Sequence, residues 1–188
     1  MFLDDNMYSS YAENNIGKNL KEIVLNYKPK KIIEFGVLNG YSTVHMAEGL
    51  KEIGDGHLFA YDLWEKYQYK HSTKEKVFEN LKKYKVENYV SLKDDDIFDW
   101  IEKKENFDLI HIDISNDGEK IKKIYDALKA NENNKNSIML FEGGTKERDE
   151  IEWMKKYNKQ KIYPLLESGQ VPYQIIVEKF PGLSMVII

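Results

Sequence analysis

The sequence predicts an α/β fold: a three-layer sandwich around a mostly parallel, seven-stranded sheet that ends in an antiparallel C-terminal hairpin. Three observations predict it. Short apolar runs alternate five times with helical patterns. Four acids, Asp62, Asp95, Asp113 and Glu142, stand at or just beyond the ends of four different runs. Two further apolar runs close the chain, with Phe180-Pro181-Gly182 between them as a turn.

In order along the chain, Ile16, Leu20, Ile23, Val24 and Tyr27 fall on one face of a helix, which Pro29 stops. Lys31 to Phe35 is a first strand. Val44, Ala47 and Leu50 mark a second helix, ended by Gly54-Asp55-Gly56. His57 to Tyr61 is a second strand, closed by Asp62. Ser72 and Glu75 read as a capping box before Val77, Leu81 and Tyr84. Tyr89 to Leu92 is a third strand, followed by Asp94-Asp95-Asp96 and a short helix. Phe107 to Ile112 is a fourth strand, closed by Asp113, and Ile121, Ile124, Tyr125 and Leu128 make the next helix. Ser137 to Phe141 is a fifth strand, closed by Glu142, and Thr145 caps a helix carrying Ile151 and Met154. Tyr173 to Val177 and Leu183 to Ile188 are the last two strands. One domain over 1–188 is expected, with an N-terminal helical lid segment over 1–30 and the sheet core over 31–188.

The 188 residues suffice for one substantial core. A net charge of −4 without a basic tail disfavours a general nucleic-acid binder. No apolar run is long enough to span a membrane. The opening MFLDDNMYSS is acidic and lacks a signal-peptide core, so the cytoplasm is the expected compartment. With no cysteine there is no disulfide framework, thiolate metal site or cysteine nucleophile. The expected partner is therefore a small molecule, with neither nucleic acid nor membrane, and the hairpin edge offers a place for a homodimer.

Right-handed crossovers put the C-terminal ends of parallel strands on one edge, where ligands bind. The first of these ends reads Ile32-Ile33-Glu34-Phe35-Gly36-Val37-Leu38-Asn39-Gly40-Tyr41-Ser42. A dinucleotide turn would show G-x-G-x-x-G. Here an acid lies inside the strand and only two glycines follow, four apart. Gly36 and Gly40 let the backbone approach a ligand, and the following helix N-terminus favours an anion. A single carboxylate needs less room than a pyrophosphate, and Ser42 is placed to donate to it. Glu34 suits an amino group, and Asp62 a ribose diol. Trp64 offers a flat face for a base, and Asp95 or Asp96 an acceptor for an exocyclic amine. An amino acid joined to a nucleoside describes S-adenosylmethionine.

At this point the chain resembles class I S-adenosylmethionine-dependent methyltransferases, which share a Rossmann-like fold, and within them the catechol and macrocin O-methyltransferase type. "IIEFGVLNGYSTVHMAEGL" resembles their first motif, "FAYDLWE" the acid after the second strand, and "VSLKDDDIFDWI" the segment after the third. "FDLIHIDISND" and "IMLFEGG" resemble the ends of the fourth and fifth strands. The resemblance spans roughly Lys31 to Gly144, and the terminal hairpin fits the family's last two strands. It implies S-adenosylmethionine held by Glu34, Gly36, Leu38, Asn39, Gly40, Ser42, Asp62, Leu63, Trp64, Asp95, Asp96 and Asp113, with S-adenosylhomocysteine as product. It implies a small-molecule acceptor, a sugar or metabolite hydroxyl, with Asp113 and Glu142 as the candidate catalytic residues.

The catalytic landmarks depart from the family's pattern. Asn116 stands where catechol-type enzymes carry a lysine base, and Glu142-Gly143 where they pair two metal-binding acids. A divalent metal such as Mg²⁺ is thus not expected to be tightly held, although Asp113 and Glu142 offer hard oxygens. His111, among apolar strand neighbours, reads as a buried histidine rather than a base. Tyr8, Tyr11 and Tyr173 are candidates for substrate contact, and 1–15 and 163–172 for the lid. Two other classes stay open on the residues alone: a nicotinamide-dependent oxidoreductase, and a non-catalytic module that keeps the cofactor pocket.

Overall fold

The computed structural model describes residue 7 and residues 9–68 and 72–188. Tyr8 and part of the expected lid, residues 1–6, lie outside them. The chain forms two compact units, Met1–Asp96 and Ile97–Ile188.

The first unit contains α1 (Ile16–Tyr27), β1 (Lys31–Phe35), α2 (Tyr41–Ile53), β2 (His57–Asp62), α3 (Lys74–Lys83) and β3 (Val90–Asp94). β1 and β2 run parallel, Lys31 opposite His57 and Phe35 opposite Tyr61. β2 and β3 run parallel too, which sets Asp62 beside Asp94 at their ends. Ile32 and Ile33 are both fully buried, so β1 is covered on both faces, as parallel strands require. α1 packs on α2 through Ile16, Leu20 and Val24, all fully buried. One face of α1, within the segment expected as lid, thus belongs to the core. Tyr27, expected on the apolar face, is 51% exposed; the helix ends one residue later, where Lys28 turns left-handed with φ 50°.

The second unit contains α4 (Ile97–Glu102), β4 (Leu109–Ile112), α5 (Gly118–Lys129), β5 (Ile138–Glu142), α6 (Lys146–Asp149), α7 (Glu152–Lys156), α8 (Tyr163–Glu167), β6 (Gln174–Val177) and β7 (Leu183–Ile187). β4 and β5 are parallel and buried along their whole length. β7 runs antiparallel to β5, with Leu183 opposite Glu142, and β6 pairs antiparallel with β7. The seven strands form one sheet in the order β3-β2-β1-β4-β5-β7-β6. The expected mixed sheet with its antiparallel C-terminal strands is therefore observed.

Several boundaries differ from the sequence reading. Thr73, not Ser72, caps α3 by accepting from the Lys76 amide, and the Ser72 hydroxyl is buried. β3 starts at Val90, because 87–89 form a 3-10 turn. The helix expected after Thr145 is two helices: Ile151 is extended at ψ 153° and becomes the N-cap of α7. α8 falls in the segment expected as lid, but its first amides are held by Asp149, which accepts from Ile162 at 2.9 Å and Tyr163 at 2.7 Å. Among the described residues no helix is long and apolar enough to cross a membrane.

Candidate active site

In the first unit the strand ends carry the first motif. Glu34 is completely buried, and its two oxygens accept from the Ser42 and Thr43 hydroxyls, each at 2.5 Å. A buried carboxylate needs such donors, since burial without them costs several kcal/mol. The Ser42 hydroxyl that the sequence offered to a ligand carboxylate is thus given to Glu34. Thr43, which the sequence reading passed over, is its twin; its signal was a second hydroxyl one residue on. Together they tie the first turn of α2 to the end of β1.

Asp62 organises the turn between them. One oxygen accepts from the Val37 amide at 2.7 Å and the Leu38 amide at 3.2 Å, and the other from the Trp64 amide at 3.1 Å. Leu38 and Trp64 are both left-handed, at φ 49° and 52°. Bulky side chains avoid that region unless surrounding bonds impose it. Asp62 therefore holds two strained residues in place. On the far side, the Asn80 side chain of α3 donates to the Asn39 carbonyl at 2.9 Å. Gly40 takes φ 83° as N-cap of α2, and a Cβ there would meet Val77 at 3.1 Å. No side chain caps α2. Its first-turn amides have no partner within the helix, the arrangement that suits an anion.

Trp64 does not present the open face the sequence suggested. The residue is 2% exposed, its indole N–H donates to the Lys93 carbonyl at 2.9 Å, and the Lys74 ammonium lies 5.8 Å from the ring centroid. Leu63, Asp95 and Asp96 are half-buried at the ends of β2 and β3.

The second unit gathers a different set. Glu142 ends β5 and is 6% exposed. Arg148 lies over it: Nε donates to one carboxylate oxygen at 2.5 Å and Nη2 to the other at 3.1 Å. Arg148 is itself 5% exposed, with its guanidinium carbon 5.7 Å from the centre of the Trp153 ring. Local sequence explains the approach. Gly143 and Gly144, at φ 98° and 89°, fold the chain back, and Thr145 caps α6 by accepting from the Arg148 amide at 3.1 Å. Gly144 sits where a Cβ would press on Tyr173, at 2.9 Å, and on Ser184. Its carbonyl accepts from Tyr173 Oη at 2.8 Å, and that of Gly143 from Ser184 Oγ at 2.8 Å.

Burial pushes the Glu142 carboxyl up to about 7, and the Asp113 charge adds to this, while Arg148 and His111 pull it down. Asp113 is half-buried at the end of β4, and His111 is fully buried. Asn116 is also fully buried; its side-chain N–H groups bridge the carbonyls of Ile112 and Glu142, each at 3.0 Å. Glu142, a candidate catalytic residue from the sequence, has both its carboxylate oxygens engaged by the Arg148 guanidinium. Tyr11 and Tyr173, offered as substrate contacts, are buried at 1% and 3% exposure and serve the packing. The sequence reading missed Arg148, although a signal was present: it is the only arginine in a chain whose other cations are all lysine.

A family model described as "Methyltransferase domain" matches residues 33–142. No curated protein matches. Among solved structures, the chain is similar to the O-methyltransferase TomG from Streptomyces achromogenes, involved in tomaymycin synthesis and in complex with S-adenosylmethionine. The TM-score is 0.67 at 16% identity, over 99% of this chain and 90% of that one. It is similar to the S-adenosylhomocysteine-bound methyltransferase PaMTH1 of Podospora anserina, with TM-score 0.68 at 18% identity, over 96% and 79%. It is also similar to a Bacillus cereus O-methyltransferase in complex with S-adenosylhomocysteine, with TM-score 0.65 at 19% identity, over 97% and 85%. The fold is thus that of these enzymes. The match over 33–142 covers more than half of the sequence and holds both the Glu34–Ser42 turn and the acids at the ends of β2, β4 and β5, so the chain belongs to the methyltransferase-domain family.

Proposed function

We propose that the protein transfers a methyl group from S-adenosylmethionine to a small-molecule acceptor, a hydroxyl of a sugar or metabolite. The observation that carries the reading is the start of α2: a helix without a side-chain cap, opened by Gly40 at φ 83°, beside a turn that Asp62 holds rigid. Its free amides suit the carboxylate of an amino-acid end. Asp62 keeps lone pairs beyond its three amide donors, which suit ribose hydroxyls. Gly36, Leu38 and Asn39 shape the turn, Glu34 and Ser42 lock it to the helix, the buried Trp64 ties the end of β2 to β3, and Leu63, Asp95 and Asp96 are the residues proposed for the nucleoside side. The related structures that hold S-adenosylmethionine or its product support the same cofactor.

When bound, S-adenosylmethionine supplies an electrophilic methyl carbon. The protein's contribution is alignment of the acceptor oxygen behind that carbon and removal of the hydroxyl proton. Asp113 is the group proposed for the acceptor hydroxyl or the cofactor. Glu142 acts through its ion pair. The exposed edge strand β6, with Ile176 36% exposed, is the edge proposed to pair with a second copy, which sedimentation analysis would test.

Titration calorimetry tests the reading. S-adenosylhomocysteine should bind much more tightly than adenosine alone, because the turn reads the amino-acid end. Micromolar binding of NAD with none of S-adenosylmethionine would sink it. Methyl release to water-soluble hydroxyl acceptors, followed as S-adenosylhomocysteine formed, separates an enzyme from a binding module.

A further inference from the structure

The family resemblance implies a divalent metal between the acids at the ends of β4 and β5, and the residues present do not fit one. Among the described residues no group of three or more His, Cys, Asp or Glu side chains is placed to hold a metal. Both oxygens of Glu142 already face Arg148. At Gly143, where a second acid would stand, a Cβ would come within 3.2 Å of Arg148 Cγ, so the arginine stem fills the room of that ligand. Mg²⁺ asks for octahedral oxygen ligation, which a carboxylate forked by a guanidinium does not offer.

We propose that the Arg148 guanidinium is the resident cation of this strand end: it takes the place of a divalent metal on Glu142 and positions that carboxylate. One residue then accounts for three departures from the family's pattern. Gly143 makes room for the arginine stem. Glu142 has the longer side chain, and its two oxygens meet Nε and Nη2 of the fork. Asn116 replaces a lysine with a neutral, fully buried side chain that donates to the Glu142 carbonyl at 3.0 Å, while its main-chain carbonyl accepts from Arg148 Nη2 at 3.4 Å; a lysine there would bring a second cation into the same buried end. The chemistry of arginine fits the part. It stays protonated at any working pH and meets a carboxylate with two parallel donors, where lysine is a point charge. In a chain that otherwise uses lysine throughout, the single arginine stands where two donors are needed at once.

The ion pair lies within the second unit, so its test does not depend on the methyl-transfer reading. The measurement is Mn²⁺ binding to the full chain by calorimetry at pH 8. The parent should bind at millimolar affinity or weaker. Arg148→Ala should gain about a hundredfold, because a contacting unit charge no longer opposes the metal. That gain should vanish when Glu142→Gln is added. Should circular dichroism show Arg148→Ala unfolded, Arg148→Lys carries the comparison. Its ammonium covers one oxygen and leaves the other, for an expected gain of about tenfold. Micromolar Mn²⁺ binding by the parent that Glu142→Gln removes would overturn the proposal. So would a folded Arg148 variant whose Mn²⁺ affinity equals the parent's.

Discussion

The two units treat a buried strand-end carboxylate in opposite ways. In the first, Glu34 is satisfied by two neutral hydroxyls from the adjoining helix turn, and Asp62 by three backbone amides. In the second, Glu142 is satisfied by a full positive charge. Neutral donors leave a negative strand end, suited to a ligand that brings its own cation, as a sulfonium with an ammonium does. Above about pH 7, where Glu142 is ionised, a guanidinium leaves a neutral pair, suited to an uncharged acceptor. The difference teaches that the motif-bearing unit is shaped for charge that arrives, and the other for charge that stays.

The comparison breaks most visibly at Arg148. Arg148→Met leaves Glu142 buried without its partner and should cost about 3–5 kcal/mol of stability, read by urea denaturation. The double variant Arg148→Met/Glu142→Gln should recover much of that loss, because no charge is then stranded. If single and double variants are equally unstable, packing of the arginine stem and not its charge holds this end together.

In the first unit, Asp62→Ala should cost about 2 kcal/mol, since it releases amides that water can partly reclaim while two left-handed residues lose their restraint. It should also weaken S-adenosylhomocysteine binding in titration calorimetry. Asp62→Asn, which keeps an acceptor, should lose less on both counts. Ser42→Ala removes one of two donors to Glu34 and should cost about 1–2 kcal/mol, with Thr43→Val close to it. Thermal unfolding of these two variants sharpens the contrast: each should fall well short of Arg148→Met.

Much of this contrast was legible in the sequence on one side only. The first unit's site is local: Ser42 and Thr43 lie eight and nine residues after Glu34, inside one strand–turn–helix, so spacing alone sets them on the same turn. Asp62 closes the next strand in parallel register, and strand ends are readable from apolar runs. In the second unit the decisive contact depends on backbone geometry that residue types do not encode singly. Two consecutive glycines at positive φ and a Thr145 cap reverse the chain over six residues and bring Arg148 back onto Glu142. The break between α6 and α7 escaped notice for a related reason. Residues 145–154 keep a helical pattern, yet Asp149 turns inward to cap a helix 13 residues on. Trp64 misled because its strand-end position suggested exposure, while its indole bond to β3 seals it.

The second unit should also show a pH dependence. The Glu142 carboxyl titrates near 4.5 in the unfolded chain and is raised to about 7 in the fold, so the folded state holds the proton more tightly. Its contribution to stability is therefore fully present below 4.5 and is lost as pH rises through about 7. Denaturation midpoints taken across that window should fall more steeply with pH for the parent than for Glu142→Gln. An equal slope in the two would show that Glu142 ionises as freely in the fold as in the unfolded chain.

The Arg148–Glu142 pair also bears on supply. A dissociable ion must be found in the surroundings, competes with other binders and leaves when it is sequestered. A guanidinium is built into the chain with the arginine that the ribosome incorporates, in a ratio of one to one, and no chelator withdraws it. A site built this way is ready as soon as it has folded, and its electrostatics are the same in a metal-starved cell as in a replete one.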